Sequence, residues 1–377
     1  MLRIALAYPY AWPQVRRGAE RFIDDLGRYL TARGHDVTVI TSSPRGVAVE
    51  GTSAVRRIVF EQWRPPALLG RRLTSAHFFP FQCRGALARG GFDVVHCLSQ
   101  FDAFAGALAS RSGTRYVFQS PGIPLKRAFR TVPHDYLMFR CALARAASVL
   151  VVSRFAGAML KRDFGVAGEV LLPPVDLEHF QAPADARREP DLVLMSGALD
   201  EERKGAALLM RAFPLVKRAA PRARLRLTGQ IAPDRERALL ALLPDALRSD
   251  VEMLGAGERA SLPRLYAQAG VTVLPAVWEA LGMVLVEALA CGSAVVGADH
   301  AGIPEVIGSP EVGVLFPPGS DRREATNASG LADAIVAAIG IARRPETAER
   351  CRAHAQPFGW AVLGPRYEDL YQRVARG

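Results

Sequence analysis

Lysine is nearly absent from this chain. Only four of its 48 basic residues are lysines, Lys126, Lys161, Lys204 and Lys217, the rest being arginine. Such a bias usually reflects genome composition, but it makes a lysine at a special position more informative. Cysteine is equally sparse. The five cysteines, Cys83, Cys97, Cys141, Cys291 and Cys351, are odd in number, scattered and without metal-ligand spacing. That pattern speaks against a disulfide framework and a zinc site, and fits a reducing compartment. No run of about eighteen apolar residues occurs, so no transmembrane helix is expected. The opening "MLRIALAYPY" is too short and too polar-flanked for a signal peptide and reads as a first strand. Internal repeats and low-complexity tracts are also missing.

What remains is the composition of a folded protein. Half of the 377 residues are hydrophobic and 23% are charged. A sizeable core is therefore easily built, disorder is not expected, and the length suits two domains of about 150–200 residues each. The charge is unevenly spread. Residues 1–186 carry 24 Lys+Arg against 14 Asp+Glu, while the remainder carries 24 against 23. A basic half suggests an anionic partner, such as nucleic acid, an anionic membrane or a phosphorylated acceptor; plain solubility is the alternative.

Short apolar runs alternate with helical stretches, twice over. In the first half the strand candidates are "RIALAY", "DVTVIT", "DVVH", "RYVFQ" and "SVLVV". Between the first two lies "GAERFIDDLGRYLTARG", where Phe22, Ile23, Leu26, Tyr29 and Leu30 share one helical face and Gly34 stands where the helix would stop. In the second half they are "LVLMSG", "RLRLTG", "VEML", "VTVLP" and "AVVGA". Near-continuous apolar character marks parallel strands buried on both faces, and strand–helix alternation predicts a doubly wound α/β sheet. Two such series predict two Rossmann-like domains facing a cleft. The polar, proline-bearing stretch Gln181–Pro190 reads as the seam, "PPGSDRREATNASG" as a surface loop, and "FGWAVLGPRYEDLYQRVARG" as a terminal helix with aromatic anchors.

The chemistry concentrates in "VTVLPAVWEALGMVLVEALACG", a strand, a loop and a helix in succession. Burying a carboxylate costs several kcal/mol unless it is paired or hydrogen-bonded. Glu279 and Glu287, flanking an apolar strip broken by Gly282, therefore suggest a ligand. Gly282 lets the backbone approach that ligand closely. Met283, Val284 and Leu285 then open the helix with N–H groups available to phosphate. Glu287, about one turn on, can accept from a pair of ribose hydroxyls; Glu279 can hold hydroxyls of a sugar beyond the phosphates. Taken singly, either could be a solvated charge. In "SGALDEERKGAALLMRAF" a strand end and turn lead to Lys204 at a helix start, a mobile point charge suited to a diphosphate, with Arg203 beside it.

These residues resemble the retaining, nucleotide-sugar-dependent glycosyltransferases of the GT-B fold, family 4 type. The E-x7-E spacing of Glu279 and Glu287 matches their signature, followed in order by "EALACGSAVVGADHAGIPEVI" and "GVLFPPG". The first half resembles them in "RRGAERFIDDLGRYLTARGHDVTVIT", "DVVH", "VVSRFAGAML" and "LLPPVDLEHF". The likeness spans nearly the whole chain. It implies an N-terminal acceptor domain (residues 1–183), a C-terminal nucleotide-sugar domain (residues 184–355) and a last helix (residues 356–377) crossing back to the first. By the same resemblance, Gly18 lets backbone N–H groups meet the donor diphosphate across the cleft, and Lys204 with Arg203 neutralises it. Ala256, Gly257 and Glu258 lie beside the base. Glu279 touches the transferred sugar, Ala280, Leu281, Gly282, Met283 and Val284 surround its phosphates, and Glu287 holds the ribose. The implied reaction is front-face displacement through an oxocarbenium-like sugar, with the leaving diphosphate stabilised electrostatically. No metal or other cofactor is expected, since Lys and Arg carry that charge and no Asp-x-Asp motif is seen.

The chain departs from the family pattern at three places. Ala198 stands where an arginine is usual, Arg17 replaces the first of the paired glycines, and Gln119 and Ser120 occupy the neighbourhood of a familiar histidine on the acceptor side. His96 belongs to another strand end. Between Val55 and Arg84, and again in Pro124–Arg140, aromatic and basic residues interleave, as in segments that meet an anionic membrane; the alternative is that the aromatics are core. The leading expectation is a cytoplasmic hexosyltransferase, peripheral to the inner face of a membrane, with a UDP- or GDP-type donor and a lipid-linked or phosphorylated acceptor. A non-catalytic nucleotide-sugar-binding subunit and a sugar-nucleotide epimerase are the alternatives. A nucleic-acid binder ranks last, because no such module is present.

Overall fold

A computed structural model describes residues 1–10, 15, 18–46, 55–63, 73–319 and 326–377. Arg17 and parts of the Val55–Arg84 and "PPGSDRREATNASG" stretches lie outside the described residues. The chain divides into two units, one formed by Met1–Pro174 with Trp360–Gly377, the other by Val175–Gly359.

The first unit runs β1 (Arg3–Ala7), α1 (Gly18–Ala32), β2 (Asp36–Ser43), β3 (Arg56–Glu61), α2 (Ser75–Arg89), β4 (Val94–Cys97), α3 (Gln100–Ala109), β5 (Tyr116–Ser120), α4 (Pro133–Arg145), β6 (Ser148–Val151), α5 (Arg154–Phe164) and β7 (Glu169–Val170). Its strands form one sheet in the order β3-β2-β1-β4-β5-β6-β7, and every pairing is parallel. The period-2 alternation of a strand sends successive side chains to opposite faces, and both faces are covered. Ile4, Leu6, Val37, Val39, Val94, Val117 and Leu150 point to one core, while Ala5, Ala7, Ile40, Val95, Cys97, Phe118 and Val149 point to the other. This is why the strands read as unbroken apolar runs.

The second unit runs β8 (Glu189–Ser196), α6 (Ala206–Ala219), β9 (Arg224–Thr228), α7 (Pro233–Leu240), β10 (Val251–Met253), α8 (Leu262–Gln268), β11 (Ala269–Leu274), α9 (Met283–Ala290), β12 (Ala294–Ala298), α10 (Ile303–Ile307), β13 (Gly313–Phe316), α11 (Ala328–Ala342) and α12 (Thr347–Ala355). Its parallel sheet has the order β10-β9-β8-β11-β12-β13. The unit begins ahead of the polar stretch Gln181–Pro190. Val175 already bridges Gly359, Asp176 pairs with Arg259 at 3.3 Å, and Phe180, buried, packs its ring against Tyr266.

The last helix, α13 (Trp360–Arg376), belongs to the first unit. Trp360 stacks on Tyr29 of α1 at 5.0 Å, and the Tyr29 hydroxyl donates to Glu368 at 2.8 Å. Tyr367, Leu370, Tyr371 and Val374 complete the core that Phe22, Leu26 and Leu30 of α1 also fill.

For parts of the two stretches with interleaved aromatic and basic residues, the structure bears on the choice between membrane contact and core. "RRIVFE", taken as part of a membrane-meeting segment, is edge strand β3; Arg57 turns inward to pair with Asp24 at 2.5 Å. In Pro124–Arg140 the aromatics are largely core: Phe129, Tyr136 and Phe139 pack around Phe164. Desolvating a ring stabilises by about 1.5–3 kcal/mol, which a charged flank does not oppose. Among the described residues of these stretches, Trp63, Phe81 and Leu137 are the large apolar ones that stay exposed. No helix of the described residues is long and apolar enough to cross a membrane.

Candidate active site

In the second sheet the strand order reverses between β8 and β11, and open α/β sheets bind ligands outside the strand ends at such a reversal. The loops leaving those two strands carry the residues singled out in the sequence. They touch through Gly205, which has φ +81°; a Cβ there would lie 2.6 Å from the carbonyl oxygen of Pro275. Only a residue without a side chain lets the start of α6 close on the β11 loop.

That closure sets the charges. Lys204 ends a short 3-10 turn just before Gly205, and its Nζ lies 2.5 Å from Oε2 of Glu279. Arg203 reaches the same oxygen at 3.4 Å, donates to the Trp278 carbonyl at 3.2 Å and pairs with Glu201 at 2.6 Å. The Lys204 and Glu279 side chains are each 17% exposed and Arg203 43%. Two cations therefore converge on one carboxylate at the rim, partly shielded from water. An anion arriving here would meet both positive groups already in place.

The β11 loop is braced from its far side. Gly302 donates its N–H to the Glu279 carbonyl at 3.0 Å, and Trp278 meets the His300 ring edge-on at 4.8 Å. Gly282, with φ +97°, caps α9. Leu281 is buried, whereas Ala280, Met283 and Val284 are half-buried at the opening turn. A helix start leaves its first N–H groups without carbonyl partners in the helix, and these favour an anion. One turn on, Glu287 is 2% exposed and Oε2 accepts the Tyr266 hydroxyl at 3.0 Å. Sequence spacing found Glu287 but not its partner on α8; nothing in "LPRLYAQ" distinguishes Tyr266 from an ordinary core tyrosine. Nearby Cys291 is inert as a nucleophile: burial, then the Glu287 charge, pushes its thiol up to about 12.

Ala256, Gly257 and Glu258 lie exposed on the loop after β10. A Cβ on Gly257 would come within 3.5 Å of Thr228 Oγ1, which puts this loop at the carboxyl end of β9. Ala198 sits on the loop after β8, its carbonyl accepting from Glu201 at 3.2 Å. Thus Arg203, Lys204 and Glu279 are in direct contact, residues 280–284 adjoin them, and residues 256–258 stand at a neighbouring strand end of the same sheet.

Gly18, Gln119 and Ser120 belong to the first unit. Gly18 is exposed and opens α1. Gln119 is 1% exposed, and its amide donates to the Leu171 carbonyl and the Tyr367 hydroxyl, so it fastens α13 to the sheet. Ser120 donates to the Gly122 carbonyl at 3.3 Å. His96 is fully buried with Nδ1 2.6 Å from the Tyr371 hydroxyl, and burial lowers its pKa to about 3 despite an opposing effect of the Gln119 side chain.

Two Rossmann-like parallel sheets, with a cation pair and a glycine-opened helix at the switch point of the second, match the architecture of the GT-B glycosyltransferases. Comparisons with known proteins agree. The profile of Glycosyltransferase Family 4 matches residues 16–179 and that of Glycosyl transferases group 1 matches residues 178–332. The chain belongs to this family of glycosyltransferases. It is 26% identical to the phosphatidyl-myo-inositol mannosyltransferase of Mycobacterium tuberculosis, over 99% of this chain and 97% of that one. A shorter match, 38% identical over 30% of each chain, is to the alpha-maltose-1-phosphate synthase of the same organism. Among solved structures, sucrose-phosphate synthase from Thermosynechococcus elongatus has a TM-score of 0.82 at 23% identity, covering 99% of both chains. Anabaena HepE in complex with UDP has a TM-score of 0.75 at 19% identity, covering 99% of this chain and all of that one.

Proposed function

We propose that the protein transfers a hexosyl group from a UDP- or GDP-type sugar to a lipid-linked or phosphorylated acceptor, with retention at the anomeric carbon. The observation that carries this reading is the Lys204–Glu279–Arg203 contact at the switch point. In it, a diphosphate would take over the two cations while Glu279 turns to hydroxyls of the transferred sugar. Charge developing on the leaving diphosphate is then met by groups already oriented, typically the largest catalytic contribution. The acceptor attacks from the face the diphosphate leaves, and a phosphate oxygen takes its proton. Glu287, steadied by Tyr266, accepts from the ribose hydroxyls. Residues 256–258 line the base. Lys204 and Arg203 supply the positive charge that a divalent ion supplies elsewhere, so transfer proceeds without a metal.

The acceptor reading draws on the mannosyltransferases' name, which specifies a phosphatidylinositol, and on the basic first half. Exposed Trp63, Phe81 and Leu137 suit a protein working peripherally at the cytoplasmic face of an anionic membrane. Melting the chain with UDP, GDP, ADP and dTDP tests the donor site. A nucleotide at 100 times its Kd should add about 2.7 kcal/mol of stability, and Glu287→Ala and Lys204→Ala should each abolish most of it. Stabilisation by none of the four would refute the donor reading. Stabilisation without transfer from any sugar of the bound nucleotide to lipid or phosphorylated acceptors would favour a non-catalytic subunit.

A further inference from the structure

We propose that the first unit holds a zinc-class divalent cation between α2 and α4, ligated by His77, His134 and Asp135. Three ligand atoms converge there. His77 Nε2 and Asp135 Oδ1 are 2.8 Å apart, His134 Nε2 and His77 Nε2 3.2 Å, and His134 Nε2 and Asp135 Oδ1 3.4 Å. Tetrahedral zinc, with bonds to nitrogen and carboxylate oxygen of about 2.0–2.2 Å, sets neighbouring ligand atoms about 3.3–3.5 Å apart. Two of the three edges are already near that value. The third is a hydrogen bond that must open by about half an ångström when the ion replaces its proton.

The surroundings suit that exchange. His77 Nδ1 accepts from the Thr74 N–H at 2.9 Å, which leaves the proton on Nε2 and directed at Asp135. A metal needs the Nε2 lone pair, so the proton must move to Nδ1, and the Thr74 N–H then gives up its acceptor. Two acceptors wait there, Thr74 Oγ1 at 3.0 Å and the Thr74 carbonyl at 3.3 Å. Backbone and hydroxyl partners of this kind orient metal-bound imidazoles. Phe101 lies against the His77 ring at 4.7 Å, and Gln100 Nε2 reaches the other Asp135 oxygen at 3.4 Å, which fixes the carboxylate. The His77 and Asp135 side chains are 10% and 13% exposed, but His134 is 37% exposed, so one side of the tetrahedron opens to solvent. That leaves a fourth position for water or an oxygen of a bound molecule. Two imidazoles and one carboxylate favour zinc over magnesium or calcium, which prefer all-oxygen shells.

The site lies at the carboxyl edge of the first sheet, where α2, α3 and α4 begin. Sequence spacing missed it because His77 stands on one helix and His134 and Asp135 on another. All three ligands belong to the first unit.

The test uses the untagged, metal-stripped full chain, titrated with Zn2+ against a chromophoric chelator and with Co2+ by visible absorption. One equivalent of Zn2+ should bind, Co2+ should give the intense bands of a tetrahedral site, and excess Mg2+ should displace neither. His134→Ala, at the most exposed ligand, should weaken Zn2+ binding more than about tenfold. Asp135→Asn should do the same, and His354→Ala in the second unit should bind like the wild type. Absence of saturable binding at one equivalent, or wild-type affinity in His134→Ala, would overturn the proposal.

Discussion

The two units share one architecture but use their strand ends differently. At the switch point of the second sheet, loops are pinned by glycines that admit no side chain, and charged groups face the rim. In the first sheet, polar groups at the strand ends turn inward: His96 meets Tyr371, and Gln119 is hydrogen-bonded to Leu171 and Tyr367. The second unit holds an ion-paired cluster at its strand ends, whereas the first uses His96 and Gln119 to seat a helix. A shared fold therefore does not tell which edge is chemical; the partners of the polar groups do.

The sharpest way to break that contrast is Lys204→Ala. If the second unit's edge is catalytic, kcat/KM for sugar transfer should fall about 10²–10³-fold, or about 2.7–4 kcal/mol, with little change in melting. A comparable fall from Gln119→Ala, with its melting temperature unchanged, would erase the distinction. Next in size is a pair of glycine replacements. Gly205→Ala adds a Cβ 2.6 Å from a backbone carbonyl at φ +81°, whereas Gly34→Ala, at φ +85°, meets nothing within 4 Å. Urea unfolding should show a cost of about 1 kcal/mol at Gly34 and about 3 kcal/mol at Gly205. Equal costs would mean that the loop contact adds nothing.

His96 sharpens the comparison through pH. Its folded pKa, about 3, lies below the ordinary 6.5 of the unfolded chain. The unfolded state thus takes up a proton that the folded state refuses. The stabilisation is whole above about pH 6.5 and is lost as pH falls towards 3, at about 1.4 kcal/mol per pH unit. Buried Asp102, pushed up to about 7 by desolvation, contributes a slope of opposite sign. Comparing the wild type with His96→Gln cancels it: the wild type should lose about 1.4 kcal/mol relative to the variant between pH 6 and 5, and parallel urea curves would refute the assignment. Smallest is Tyr29→Phe, which removes the hydroxyl bond to Glu368 and should cost about 1 kcal/mol in the same assay.

Legibility followed locality. The strands of both central sheets were readable because residues buried on both faces are apolar in succession. Of the four edge strands only β10 was read, as "VEML". The β3 segment mixes arginine with apolar residues because one side of it lacks a neighbouring strand, β7 is two residues long, and β13 was seen only as "GVLFPPG". Glu279 and Glu287 were found by their spacing within one loop and helix. The Lys204–Glu279 contact could be anticipated only through family resemblance, and the Tyr266–Glu287 bond not at all, since each joins separate elements. The aromatic stretches were ambiguous for a different reason: an inward Phe129 and an outward Phe81 look alike until packing decides between them.

The return of α13 has a consequence for how the chain is made. The second unit is one continuous piece, Val175–Gly359, and can close as soon as its own last residues leave the ribosome. The first unit cannot. Its core lacks Tyr367, Leu370, Tyr371 and Val374 until α13 has been synthesised, although its sheet is complete some two hundred residues earlier. During that interval the face over Phe22 and Leu26 has no cover, so the half translated first is the half finished last and the one most exposed to chaperones and to aggregation.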